Sequence, residues 1–227
     1  MLSILIPVYN EQDILCESVE KLISYLDSRN FDYEILILNN GSTDRTLEIA
    51  QALANSKPHV RAFSLPKRDV GGAFVKGVRE ARGEIVVTQD ADLSSDLVFI
   101  DYSHDLLQYA DALVGSKTMG SQRRSLVRVL GSQLYILLVQ LFFKMTISDY
   151  SMGAKAFRKD SITAHLDGLD PWTGYIFELC LRLHRSGAKV IQIGIDCNDL
   201  RPSHFNLLHE GVYRYWHLFK CWRRLDP

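Results

Sequence analysis

The sequence predicts one α/β domain with a mostly parallel sheet and helices on both faces. Three observations carry that expectation: short apolar runs recur along the chain, segments with apolar residues at helical spacing lie between them, and polar clusters follow the runs directly. Apolar runs of about four to eight residues read as strands buried on both faces, and strand alternating with helix is the pattern of a parallel sheet. At 227 residues the chain is long enough for one sizeable core and falls short of two, so residues 1–227 are read as one domain.

The first strand runs from Leu2 to Val8; Met1 to Pro7 has neither a basic leader nor a small-residue cleavage site, so it reads as a strand and not as a signal peptide. Ile14, Leu22, Ile23 and Leu26 then recur at helical spacing before a second strand from Glu34 to Leu38. The unit repeats, with helices over Thr43 to Asn55 and Val70 to Ala81 and strands over Val60 to Leu65 and Glu84 to Thr88. A helix opening near Ser94 or Ser95 and a strand from Ala112 to Gly115 follow. The second half is less regular: a long apolar helix, a glycine-containing stretch, a helix from Trp172 to Ser186 and a strand from Lys189 to Ile195. Linkers, repeats and low-complexity tracts are not evident.

Composition narrows the function classes. Hydrophobic residues make up 47% and charged residues 23%, with a formal net charge of -1, so there is no global basic field for nucleic acid and any anion site must be local. Cys16, Cys180, Cys197 and Cys221 lack a C-x-x-C spacing, which argues against a zinc site and a disulfide framework and for a reduced, cytoplasmic setting.

In a doubly wound sheet, ligands bind outside the carboxyl ends of the strands. Three polar clusters fall there: Tyr9-Asn10-Glu11, Asn39-Asn40-Gly41-Ser42 and Asp90-Ala91-Asp92. Asp90 and Asp92, two apart in an extended segment, point to one side and can share a hard cation such as Mg2+ or Mn2+ through oxygen. The spacing alone is weak, since 18 aspartates in 227 residues give about 1.4 Asp-x-Asp triplets by chance; the position after Ile85-Val86-Val87 raises it above a solvated turn that caps the next helix. Asn39 to Asp44 reads as a strand-to-helix turn with Ser42 or Thr43 as the cap, and Asn39 and Asn40 are placed to reach the base or ribose of a nucleotide.

Ile6-Pro7-Val8-Tyr9-Asn10-Glu11, Asn39 to Thr46 and Gly83 to Ser94, taken in order, resemble the successive signatures of family 2 glycosyltransferases of the GT-A, Rossmann-like fold. The branch is similar to dolichol-phosphate mannose synthase and bacterial polyprenyl-phosphate sugar transferases. Gly115-Ser116-Lys117, Ser148 to Gly153, Gly174 to Glu178 and Arg201 to Phe205 extend the resemblance. It implies a nucleotide-binding half in 1–95 and an acceptor half in 96–227. Pro7, Tyr9 and Glu11 would line the pocket of a GDP- or UDP-sugar, Asp90 and Asp92 would hold the metal bridging its diphosphate, and Arg201 and His204 would meet the donor phosphates. The implied reaction is inverting transfer of a hexose to a polyprenyl phosphate. Three residues depart from the family pattern: Asn39 and Asn40 replace an Asp pair, exchanging acceptor-only groups for amides, and His204 replaces a lysine. The spacing ahead of Arg201 is also shorter.

Asp149 has several readings: a general base, a residue behind the metal ligands, an organiser of cationic side chains, or a cap for the turn before Gly153. Arg123, Arg124 and Arg128 precede the apolar stretch Leu134 to Phe143, which is shorter than the ~20 residues needed to cross a bilayer. Either it is an interior helix or it lies on a membrane with Lys117 and the arginines against lipid phosphate. The family resemblance favours the second, which makes the chain peripheral on the cytoplasmic membrane face. Tyr213 to Arg224, aromatic and basic, suits an interfacial helix and a packed terminal helix equally. Rival functions are a family 2 transferase acting on a soluble acceptor or glycan, a nucleotidyltransferase, and a non-catalytic nucleotide-binding member of the fold.

Overall fold

The computed structural model describes residues 1–120, 126–196 and 207–224. In chain order the elements are β1 (Leu2–Val8), α1 (Leu15–Ser28), β2 (Tyr33–Asn40), α2 (Thr46–Ser56), β3 (Val60–Leu65), α3 (Val70–Glu80), β4 (Ile85–Thr88) and α4 (Val98–Leu106). Then come β5 (Ala112–Ser116), α5 (Leu126–Phe143), β6 (Lys155–Arg158), α6 (Lys159–Thr163), α7 (Tyr175–Arg185), β7 (Val190–Gly194) and α8 (Leu207–Arg223). The strands form one sheet in the order β3-β2-β1-β4-β6-β5-β7.

Side-chain alternation divides the core between the two faces of the sheet. Ile4, Ile6, Ile35 and Ile37 pack on the side of α1 and α2 with Leu15, Leu22 and Ala50. Leu5, Leu36 and Leu38 pack on the other side with Phe74 of α3, Phe177 of α7 and Val139 of α5. Because both faces are covered, β1 and β2 read as continuous apolar runs, which is why they were legible.

β1 pairs with β2 on one side and β4 on the other, both parallel, so strand order reverses at β1 and opens a crevice at its carboxyl end. The departure from the predicted pattern is β6, which lies antiparallel between β4 and β5 with Thr88 opposite Lys155. An antiparallel strand starts where its neighbours end. The segment that leads into β6, residues 149–154, is therefore delivered onto the same rim as Asp90.

Several boundaries are corrected. Asn39 and Asn40 are the last residues of β2 and not a following loop. α2 begins at Thr46, and its free amide is met by Asp44 Oδ1 at 3.0 Å; Ser42 and Thr43, expected to cap it, bond Asn10 across the rim. α4 begins at Val98, whose N–H donates to Asp96 Oδ1 at 3.0 Å, and not at Ser94 or Ser95. α7 begins at Tyr175, because Asp170 Oδ2 accepts from the Trp172 and Gly174 amides and holds the preceding residues in a turn.

Candidate active site

Asp90 and Asp92 lie in the turn that ends β4, facing the end of β1. Leu93 N–H donates to the Asp90 carbonyl at 3.0 Å and Ser94 N–H to Asp92 Oδ1 at 3.1 Å, which closes the turn around the two carboxylates. Leu93 takes φ 51, a left-handed conformation that a branched apolar residue adopts at a cost of about 1–3 kcal/mol. Burial and the neighbouring Asp92 charge push the Asp90 carboxyl up to about 6. Two repelling carboxylates with little water are the condition that a hard divalent cation relieves. The residues therefore fit Mg2+ or Mn2+ as far as two oxygen ligands go. Among the described residues no group of three or more His, Cys, Asp and Glu side chains could hold a metal ion, so further ligands would come from elsewhere, as in diphosphate sites where metal is shared with substrate.

The segment before β6 closes the site from the other side. Gly153 N–H donates to Asp90 Oδ2 at 3.2 Å, and a Cβ at Gly153 would collide with that carboxylate. Asp149 is buried and accepts from the Ser151, Met152 and Lys117 amides at 2.8, 3.1 and 3.2 Å, with Lys117 Nζ 3.6 Å from its Oδ2. Burial alone would raise its carboxyl, but the Lys155 and Lys117 charges and these amides outweigh it and hold the group at about 2. Lys155 is fully buried; its Nζ donates to the carbonyls of Met152 at 2.8 Å, Gly115 at 3.3 Å and Ala154 at 3.4 Å, while burial pulls its own pKa down. This ammonium ties the end of β5 to the 149–154 loop.

On the opposite flank, Asn10 at φ 55 turns the chain out of β1, its Oδ1 accepting from Thr43 N–H at 2.8 Å. Pro7, Tyr9 and Glu11 are partly buried along this edge. The carboxamides of Asn39 and Asn40 are turned to internal contacts: Asn39 Nδ2 donates to Ser64 Oγ at 2.9 Å, and Asn40 Oδ1 accepts from Asp69 N–H at 2.5 Å. Asp69 in turn caps α3 through Gly72 N–H at 2.6 Å. These side chains fasten the strand ends to the next loops.

Beside Asp149, Thr118 and Ser148 line a groove of about 230 Å³ whose other wall is α5, with Ile136 and Leu137 beside the polar Gln133 and Gln140. The long apolar stretch turns out to be neither wholly interior nor wholly superficial. Tyr135, Val139 and Phe143 are buried, whereas Leu130, Leu134, Leu137 and Leu141 are exposed at helical spacing. α8 packs on α5, with Phe142 stacked on Trp222 and Tyr215 Oη donating to the Gly131 carbonyl at 2.8 Å, and it leaves Val212, Trp216 and Phe219 exposed. No helix among the described residues is long and apolar enough to cross a membrane.

The profile of "Glycosyl transferase family 2" matches residues 3–163, which contain both carboxylate loops. This chain belongs to glycosyl transferase family 2. Among its relatives, an undecaprenyl-phosphate 4-deoxy-4-formamido-L-arabinose transferase of Edwardsiella ictaluri is 34% identical over 72% of this chain and 51% of that protein. Glycosyltransferase AglD of Haloferax volcanii is 27% identical over 98% of this chain and 37% of its own length, and a dolichyl-phosphate beta-glucosyltransferase (ALG5D) of Trichomonas vaginalis is 28% identical over 88% and 67%. The chain thus spans about a third to a half of the first two. Glucosyl-3-phosphoglycerate synthase from Mycobacterium tuberculosis, solved with Mn2+ and UDP-glucose, has the same GT-A fold, with a TM-score of 0.72 at 21% identity over 98% of this chain and 78% of that one.

For this family 2 chain, the structure brings Tyr9, Glu11, Asn39, Asn40, Asp90, Asp92, Asp149 and Lys117 to one rim. Lys117, which the sequence groups with the arginines as a contact to lipid phosphate, follows β5 and sits in a buried pair with Asp149. Arg123, Arg124, Arg201 and His204 lie outside the described residues, and Arg128 falls in the first turn of α5. Lys155, Arg68 and Trp172 were not foreseen as site residues. Lys155 had one faint signal, a lysine opening the otherwise apolar Ala156-Phe157; the other two depend on contacts between distant loops.

Proposed function

We propose that this chain transfers a sugar from a GDP- or UDP-sugar to a polyprenyl phosphate, with Mg2+ or Mn2+ held by Asp90 and Asp92. The observation that carries the reading is the meeting of the Asp90–Asp92 pair with the Asp149–Lys117 pair at the strand-order switch. A metal between the carboxylates and the donor diphosphate supplies charge neutralisation for the departing nucleotide. Pro7, Tyr9, Glu11, Asn39 and Asn40 border the nucleotide, and Arg201 and His204 are kept as contacts to its phosphates. Residues 1–95 act as the nucleotide half and 96–227 as the acceptor half.

Asp149 discriminates between acceptors. A carboxyl held at about 2 and already shared between two lysines is a poor general base, since a useful base has a pKa nearer the working pH. An ionised phosphate nucleophile needs no proton removed, whereas a sugar hydroxyl does. Asp149 is therefore assigned as the organiser of Lys117, and Lys117, Arg123, Arg124 and Arg128 are assigned to the acceptor phosphate. The groove beside Ser148 leads from this point to the exposed leucines of α5, a path suited to an isoprenoid tail. Those leucines and the aromatic face of α8 lie against a bilayer as a peripheral contact, and the free thiols Cys16, Cys180 and Cys221 suit its reducing, cytoplasmic side.

Incubation with UDP- and GDP-sugars, Mn2+ and either a polyprenyl phosphate or soluble sugars tests the reading. Lipid-linked sugar with release of nucleoside diphosphate is the expected result. Pyrophosphate release would indicate a nucleotidyltransferase, and transfer to soluble sugars alone would remove the lipid acceptor.

A further inference from the structure

Arg68 lies between β3 and α3, on the same rim but outside every segment the sequence singled out. Its guanidinium carbon is 4.1 Å from the Tyr9 ring centroid and 4.9 Å from that of Trp172, so two rings from distant parts of the chain hold one cation. Trp172 is in turn held by α8. Its indole N–H donates to Glu210 Oε2 at 2.9 Å, and the neighbouring Thr173 hydroxyl donates to the other oxygen of that carboxylate. The loop is fastened on its far side as well: Gly71 N–H of α3 donates to the Pro171 carbonyl at 3.1 Å, and any side chain at Gly71 would strike the Asp170 carbonyl. Asp170 also accepts from the Tyr213 hydroxyl of α8. Residues 170–174 therefore form a strap from α8 to the loop that carries Arg68.

A guanidinium held by aromatic rings keeps its planar fork of N–H donors, the shape that matches a phosphate. An arginine fixed in this way loses little further freedom when it grips an anion, which is the usual source of affinity in a preorganised site. The ligand proposed for this rim is an anion, which a guanidinium held in place complements.

We infer that Trp172 is a positioning residue for the donor: held by Glu210, it pins Arg68 over Tyr9 with its N–H edge toward the anionic nucleotide. α8, assigned above to the acceptor side, thereby also supports donor binding. The inference rests on the reading of this rim as a nucleotide site.

Calorimetric titration of the full chain with UDP and with GDP in Mn2+ tests it. Arg68→Ala and Trp172→Leu each weaken binding by about tenfold, Glu210→Gln by about threefold, and Trp172→Phe, which keeps a ring face, by less than about twofold. Leucine retains apolar bulk, and melting temperatures measured without nucleotide identify any folding loss. In turnover, the loss in Trp172→Leu falls on the donor KM more than on kcat. Since Trp172 acts through Arg68, adding Trp172→Leu to Arg68→Ala weakens binding no further. Additive losses, parent affinity in Trp172→Leu, or weakening only in proportion to unfolded protein overturn the inference and leave the nucleotide site standing. A parent chain that binds neither nucleotide overturns both.

Discussion

The loop after β4 and the loop before β6 each present an aspartate to the same rim, and their surroundings drive the two carboxyls in opposite directions. Asp90 faces another carboxylate, Asp92, and is pushed up to about 6. Asp149 is at least as buried but lies between Lys117 and Lys155 and is held at about 2. Burial raises both carboxyls and is the largest cause at Asp90, where Asp92 adds to it; at Asp149 the two lysines and the backbone amides outweigh it. The first loop sets two carboxylates against each other, an arrangement that a hard cation would relieve. In the second the Asp149 charge is met by Lys117, whose Nζ lies 3.6 Å away.

The largest effect should come from the first loop. Asp92→Ala is expected to lower transfer by at least about a thousandfold and to abolish the dependence of nucleotide affinity on Mn2+, because a hard oxygen ligand and the charge beside the diphosphate are lost together. Activity near that of the parent would remove the metal from this loop and dissolve the contrast.

Asp149→Asn tests the second loop through stability. Removing one partner of a buried ion pair leaves Lys117 and Lys155 uncompensated, a loss of about 2–3 kcal/mol at neutral pH from the depressed pKa. The sign with pH follows from the depressed folded pKa. Asp149 contributes fully above its unfolded value of about 3.9, and the contribution disappears as pH falls towards about 2, so parent and variant unfolding curves converge in acid. A gap that persists below about pH 2 would assign the loss to packing and not to charge.

Asp90→Asn should act in the reverse sense. An ionised Asp90 opposes folding, and that cost is relieved on protonation as pH falls through about 6. Without metal at pH 8, the amide is expected to stabilise the chain by about 1–3 kcal/mol, with the gain fading below pH 4, and to be inactive. Opposite signs for two Asp→Asn changes on adjoining loops would be hard to obtain from any cause but the local field. Equal signs would refute the comparison.

The same contrast explains what was legible in the sequence. β1, β2 and the loop after β4 could be read because strands buried on both faces announce themselves as apolar runs, and the site residues directly follow them. β6 is four residues long, two of them cationic, and has no periodic signature; it is a strand because Thr88 and Val86 pair with it. Asp149 was visible as a residue but not as a role, since its acidity is set by Lys155 and Lys117, one of which follows it in the chain and the other precedes it by more than thirty positions. Arg68 between Tyr9 and Trp172 lies still further from local signals. The cap of α2 was misread for a local reason: Ser42, Thr43 and Asp44 are all good capping types, and the cross-rim bonds to Asn10 draw off the first two.

The smallest expected effect on the fold lies farthest from both loops and bears on the acceptor. Leu134 and Leu141 of α5 are 50% and 67% exposed, whereas Val139, on the inner face, is fully buried. Replacing both exposed leucines with Asp should change stability by no more than about 0.5 kcal/mol and leave Mn2+-dependent nucleotide binding as in the parent. Binding to anionic liposomes should fall sharply, because apolar area is withdrawn and negative charge is set against the headgroups. Val139→Asp serves as the internal control, since an unpaired charge in the core unfolds the chain. If the double variant keeps both liposome binding and transfer to long-chain polyprenyl phosphate, the exposed row is not a lipid surface, and the acceptor reading must then rest on the Asp149–Lys117 pair and its groove alone.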